Sequence, residues 1–186
     1  MTLTLPLLLT LLRVAVIPLV LALFYLDWTY ARQLATVLYT AAGITDWLDG
    51  YLARRWNQES KFGAFLDPVA DKLLVAVCLV MLLRDDPGGI LAVIVAIIIG
   101  REITISALRE WMAALGQRTS VAVSWIGKWK TGFQMTAIGM MIWQVPVFGM
   151  PIYDIGYGLL LIAAALTLWS MFVYLRAAWP IMLGRK

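Results

Sequence analysis

Asp46 and Asp49, followed by Asp67 and Asp71, lie in a chain whose other segments read mostly as membrane spans. An ionised Asp at the centre of a bilayer costs about 3 kcal/mol on insertion scales, so acids in such segments mark a functional site by default. Four of them need a counter-charge. At about 100° per residue, Asp46, Asp49, Gly50, Ala53 and Arg54 fall at about 0°, −60°, +40°, −20° and +80°, which is one face of a helix. Gly63, Asp67 and Asp71 step by four along the next helix and form a second strip. In a helical hairpin the two strips face each other at one edge of the bilayer, because the second span is finishing at Asp49 as the third begins at Asp67.

Two carboxylates 4 Å apart repel by about 4 kcal/mol at an effective dielectric near 20, so converging acids must protonate or bind cations. Asp46 and Asp49 also lie near the expected C-terminus of their helix, where negative charge is disfavoured and a divalent ion reverses the penalty. The chain has no histidine and one cysteine. That excludes His-based nucleophile systems and His-ligated zinc or haem. Oxygen-only ligands suit Mg²⁺, Mn²⁺ or Ca²⁺. Four carboxylates suffice for two such ions sharing ligands, the arrangement that clamps attacking and leaving oxygens in phosphoryl transfer. Plainer readings exist for single residues. Asp67-Pro68 is a good N-cap followed by proline at N1, Gly50 and Gly63 suit close helix packing, and Arg54 suits an interfacial cation. Capping accounts for one aspartate and leaves three.

The elements that must hold these residues follow from composition. With 62% hydrophobic residues in 186, and roughly 20 apolar residues needed per span, the chain reads as an all-α integral membrane protein of one domain, residues 1–186. Six transmembrane helices are expected, over Pro6 to Leu26, Leu34 to Leu52, Phe65 to Leu83, Gly88 to Leu108, Thr131 to Val147 and Ile152 to Leu175. No basic segment precedes the first apolar run and no small-residue cleavage site ends it, so that run reads as a retained span rather than a signal peptide. Cys78 falls mid-span, where it packs as a small hydrophobe.

The formal charge of +4 reads as topology, not as nucleic-acid binding. With a cytoplasmic N-terminus, Arg54, Arg55, Lys61, Arg109, Arg118, Lys128, Lys130, Arg176, Arg185 and Lys186 share the cytoplasmic side, against Arg32 and Arg84 opposite. The positive-inside rule then places both termini and the acid strips at the cytoplasmic face. Asp27, Asp85, Asp86 and Asp154 become solvated acids of the outer loops, and the nine Trp residues an interfacial aromatic belt. The one sizeable polar interruption runs from Glu110 to Lys130.

The run from Asp46 to Asp71 resembles the signature of the CDP-alcohol phosphotransferase family, Asp-x2-Asp-Gly-x2-Ala-Arg-x8-Gly-x3-Asp-x3-Asp, at every fixed position and both spacings. Thr45-Asp46-Trp47, Ala53 to Gln58, Gly63 to Lys72, Arg101-Glu102, Ser106 to Glu110 and Ser124 to Thr131 are similar to the bacterial branch that uses glycerol 3-phosphate as acceptor. The resemblance implies a six-helix membrane fold, usually a homodimer, in the bacterial inner membrane. It implies that Asp46, Asp49 and Asp67 bind a two-metal centre, and that Asp71 serves as ligand and general base. Gly50, Ala53 and Gly63 would let a cytidine nucleotide approach the helix backbones, with Arg54 near its phosphates. Pro6, Thr10 and Arg13 fit the family's N-terminal pattern. Leu7 stands where members often carry Asn, a departure that bears on any nucleotide contact from that position.

The implied donor is CDP-diacylglycerol, whose acyl chains stay in the bilayer while cytidine and pyrophosphate reach the cytoplasmic rim. An acceptor with its own phosphate needs cations that the motif lacks. Arg101 and Arg109 lie within an arc of about 80° on the fourth helix, and Lys128, Lys130 and Thr131 open the fifth. Arginine suits bidentate phosphate contact, so glycerol 3-phosphate is a natural acceptor for this cluster. The plainer reading pairs Arg101 with Glu102 or Glu110 and sends Lys128 and Lys130 to anionic headgroups. Arg176, Arg185 and Lys186 read as tail cations. Competing functions are a sibling transferase, such as cardiolipin synthase or one transferring to inositol phosphate, serine or choline, and a divalent-cation transporter. Transport sites usually lie near the midplane, whereas these acids crowd one edge.

Overall fold

The computed structural model describes residues 5–56, 61–115 and 125–182; the side chains at 5, 6, 47, 49–56, 61, 64, 125–128, 180 and 181 fall outside the description. Among the described residues the chain is all-helical, with α1 Leu5–Leu23, α2 Ala31–Trp56, α3 Lys61–Asp85, α4 Gly89–Ala114, α5 Trp125–Trp143 and α6 Ile152–Met182. α4 and residues Ile152–Trp179 of α6 are each long and apolar enough to cross a membrane by length and composition.

Helix packing follows small and apolar stripes. On α2, Ala31, Ala35, Tyr39 and Ala42 recur at helical spacing and are buried, which lets α1, α3 and α5 pack on it as small residues do between membrane helices. α3 contributes Leu74, Cys78, Leu79 and Leu82 to the same core, α4 Leu91, Ile94 and Ile98, and α5 Ile138, Met141 and Ile142. Cys78 is buried and unpaired by any disulfide. A smaller cluster, Ile105, Leu108 and Met112 of α4 with Tyr174 and Ala178 of α6, ties the last two turns of α4 to the end of α6.

α5 and α6 form a hairpin across a tight connection. Gln144 has φ 60° just past the end of α5, and Phe148 and Gly149 also take positive φ where Val147 and Met150 exchange backbone hydrogen bonds of 3.3 and 3.0 Å. Gly156 lets the helices close on each other, since a Cβ there would stand 3.0 Å from the Ala137 carbonyl oxygen.

Apolar side chains lie on the surface as well as in the core, and a few polar ones are buried. Leu12, Ile44, Phe65, Ile90, Ile103, Trp169 and Phe172 are exposed, whereas Arg13, Arg101, Lys130, Gln134 and Ser170 are buried. Monomeric soluble proteins rarely expose apolar surface on that scale.

Two details differ from the sequence reading. α3 begins at Lys61, so Asp67 is no N-cap and Pro68 stands inside the helix. The missing Pro68 N–H leaves the carbonyl four residues back without its helical partner, a defect that membrane helices tolerate. α2 continues to Trp56, which puts Asp46 and Asp49 beyond the last-turn reach of the helix dipole.

Candidate active site

α1 supplies partners that bind two of the acids. Thr10 and Arg13 are three residues apart, on one face of α1, and both are buried. Arg13 Nη1 donates to Asp46 Oδ1 of α2 at 2.5 Å, and Thr10 Oγ1 donates to Asp67 Oδ1 of α3 at 2.5 Å. Asp46 lies within electrostatic reach of Asp67. Asp71 lies within electrostatic reach of Asp46, Arg13, Lys72 and Glu102. The α2 and α3 strips therefore meet beside α1. Gly63 is buried in the early part of α3. Asp49, Gly50, Ala53 and Arg54 belong to α2, with side chains outside the described residues.

The acids of α2 and α3 make up a donor set whose kind suits a divalent metal. Its described members are oxygen donors only, and among the described residues one cation, Arg13, is bonded directly to an acid of the set. Negative charge remains in excess, and Asp46 and Asp67 each keep an oxygen outside the bonds to α1. These residues fit a hard cation in kind. Among the described residues, however, no three acids stand close enough to enclose an ion, and the fourth acid, Asp49, lies outside the description.

A second polar group occupies the interior between α4, α5 and α6. Glu102 Oε1 accepts from Arg101 Nη1 at 3.0 Å and from Lys130 Nζ at 2.5 Å. Arg101 Nη2 donates to Ser170 Oγ of α6 at 3.1 Å. Arg109 Nη2 donates to Tyr174 Oη at 3.3 Å. Arg101, Arg109 and Lys130 thus converge, as the sequence suggested, and both arginines act electrostatically on Lys130. The plainer reading of Arg101 is also realised through Glu102. Among the described residues one carboxylate, Glu102, is bonded to two of these three cations, which leaves two positive charges in excess, with Arg101 and Lys130 buried and Arg109 exposed. Thr131 is on the exposed side of α5, and the side chain of Lys128 lies outside the described residues.

Lys72 of α3 donates to Ser106 of α4, which couples the acid strip to the helix that carries the arginines. Sequence reasoning gave no role to Lys72, Ser106, Ser170 or Tyr174, and treated Glu102 only as a neutraliser. The signal available was four-residue spacing of polar side chains, Ser170 and Tyr174, inside an otherwise apolar span.

At the far end of the bundle Asp27 and Asp154 are exposed, as expected of solvated acids, whereas Asp85 and Asp86 have partners. Asp85 pairs with Arg32 at 2.5 Å, Tyr153 Oη donates to Asp86 at 2.9 Å, and Arg84 lies 4.1 Å over the Tyr25 ring. Asp85 and Asp86 thus each have a cationic or aromatic neighbour on another element, and these groups bind the ends of the helices together.

Residues 3–169 match the family model for CDP-alcohol phosphatidyltransferase. The chain is 50% identical over 178 residues, 96% of its length and 96% of theirs, to the CDP-diacylglycerol–glycerol-3-phosphate 3-phosphatidyltransferases of Escherichia coli (strain K12), Salmonella typhimurium and Shigella flexneri. Acid strips on two neighbouring helices, all-oxygen donors and an extended family match agree: the chain belongs to the CDP-alcohol phosphatidyltransferase family, which is membrane-embedded and uses a divalent metal.

Proposed function

We propose that the protein transfers the phosphatidyl group of CDP-diacylglycerol to a hydroxyl of sn-glycerol 3-phosphate, releasing CMP, and that it works as a six-span homodimer in the bacterial inner membrane with its site at the cytoplasmic face. The observation that carries this is the 50% identity, over nearly the whole chain, to enzymes named for that reaction. The excess of two positive charges around Arg101, Arg109 and Lys130 supports it, because a phosphomonoester carries about two negative charges at neutral pH.

In this reading Asp46, Asp49, Asp67 and Asp71 hold the divalent metal, as Mg²⁺ or Mn²⁺ and as two ions. When bound, the metal supplies charge compensation for the donor pyrophosphate and the departing CMP. Arg13 and Thr10 fix Asp46 and Asp67 from α1, so the acids are held in place before substrate arrives. Gly50, Ala53 and Gly63 admit the cytidine nucleotide close to the helix backbones, and Arg54 meets its phosphates. Arg101, Arg109 and Lys130, with Lys128 and Thr131 at the start of α5, receive the acceptor phosphate. Asp71 takes the proton of the acceptor hydroxyl as that oxygen forms its bond to the phosphatidyl phosphorus. The bond from this phosphorus to the CMP oxygen breaks, and CMP carries the electron pair away. Positioning of both substrates replaces a bimolecular encounter with an intramolecular one.

The test is CMP release by purified protein given CDP-diacylglycerol and Mg²⁺ or Mn²⁺, with glycerol 3-phosphate, glycerol, inositol phosphate, serine and phosphatidylglycerol offered separately. Release that needs both metal and glycerol 3-phosphate is the expected result. Release with another acceptor alone moves the chain to a sibling activity, and no release under any condition overturns the reading.

A further inference from the structure

The acceptor reading above names cations on α4 and α5, and the inference here rests on it. The buried wall opposite those cations belongs to α6. Thr167, Ser170 and Tyr174 recur at spacings of three and four, so they share one stripe of that helix, and all three are buried. Two of them touch the arginines. Ser170 accepts from Arg101, and Tyr174 accepts from Arg109. The ring of Tyr174 also lies 5.4 Å from the Arg109 guanidinium carbon and 6.0 Å from that of Arg101, within the range in which a cation is attracted to an aromatic face.

Tyr174 thus lies within hydrogen-bond or cation–π range of both arginines. It is held in turn by the apolar cluster of Ile105, Leu108, Met112 and Ala178. A phenol is well suited to this task. Its face and hydroxyl attract guanidinium groups, and it brings no negative charge that would compete with an incoming anion. A carboxylate there would cancel one of the two surplus positive charges. Two further observations point to a ligand beside this wall. Arg101 Nε, Gln134 Oε1 and Thr167 Oγ1 are buried and have no hydrogen-bond partner among the described residues. Gln134 is one helical turn from Lys130 on α5, and Thr167 one turn from Ser170 on α6. Because α5 and α6 form an antiparallel hairpin, both turns lie on the same side of the cation cluster. A phosphorylated polyol offers donors and acceptors for such atoms, and leaving them unmet is costly.

We infer that α6 forms the third wall of the acceptor site, with Tyr174 as a positioning residue that holds Arg101 and Arg109 at the spacing a phosphomonoester dianion requires. Tyr174 acts through the arginines and takes no part in proton transfer. Its effect belongs to acceptor binding, and the lipid donor is indifferent to it.

The experiment is steady-state kinetics of the full-length protein with Mg²⁺, CDP-diacylglycerol in mixed micelles and glycerol 3-phosphate, with inorganic phosphate as a competitor of the acceptor. Tyr174→Phe, which keeps the ring and loses the hydroxyl, should raise the acceptor KM roughly tenfold. Tyr174→Leu, which loses both, should raise it roughly a hundredfold. The inhibition constant of phosphate should rise in parallel, while the KM for CDP-diacylglycerol stays within about twofold. An acceptor KM and a phosphate inhibition constant unchanged in Tyr174→Phe would overturn the inference, as would donor and acceptor KM rising together. Should Tyr174→Leu not fold, Tyr174→Phe decides alone. A wild-type protein inert toward glycerol 3-phosphate would instead overturn the functional reading, so the two failures are distinct.

Discussion

Arg13 is nearly fully buried, at 1% exposure, and its ion-pair partner Asp46 is 40% exposed. Removing one partner of such a pair leaves a charge stranded, which costs about 3 kcal/mol when both are buried and less where water reaches one of them. Arg13→Ala should therefore lower the thermal unfolding midpoint in detergent and reduce turnover with CDP-diacylglycerol by at least tenfold; unchanged values of both would count against a positioning role. Asp71→Asn is expected to abolish CMP release while metal-dependent cytidine nucleotide binding, read by calorimetry, is largely kept. Normal turnover in that variant would remove Asp71 from the role of base. Arg109→Ala should raise the KM for glycerol 3-phosphate far more than the KM for the donor. At this scale the sequence carried the acids and the cations, because residues four apart on one helix declare a shared face. It could not carry the pairing of Thr10 with Asp67 or of Arg13 with Asp46. Those partners are 57 and 33 residues apart, and local periodicity holds no information on which helix lies opposite.

Helix boundaries were legible only to within the apolar stretches. Hydropathy follows the part of a helix that suits lipid, and α2, α4 and α6 continue past it into polar or aromatic turns. Asp67-Pro68 is the instructive case. Proline near a new span looks like a helix start, yet α3 begins at Lys61, because Pro68 forfeits one backbone hydrogen bond while the helix gains its alignment of Gly63, Asp67 and Asp71. The α5–α6 hairpin gives a prediction proper to this scale. Gly156→Ala places a methyl group 3.0 Å from the Ala137 carbonyl oxygen and from Met140 Cβ. Overpacking of this kind costs about 1–3 kcal/mol, so the unfolding midpoint should fall. Gly158→Ala on the same helix meets open space and should leave it unchanged. Equal midpoints for the two variants would mean that the hairpin is not packed as described.

For the molecule as a whole, the many exposed apolar side chains around an apolar core that also holds Arg13, Arg101 and Lys130 agree with the membrane class read from composition. Orientation is the part that only the loop charges address. In a Cys78→Ala background, Asp27→Cys should react with an impermeant thiol reagent added to intact spheroplasts, and Glu110→Cys only after permeabilisation. The reverse pattern would invert the proposed topology and move the site to the other face. The far end of the bundle carries Arg32 with Asp85, Tyr153 with Asp86, and Arg84 over Tyr25, and between that end and the acids lie fully buried Leu79, Leu82, Ile138, Met141 and Ile142. In the proposed arrangement the protein is a cup rather than a tube. The site opens to one compartment and an apolar core closes it off from the other, so catalysis draws ions and substrates from one side only, and the membrane voltage is neither spent on the reaction nor leaked through it.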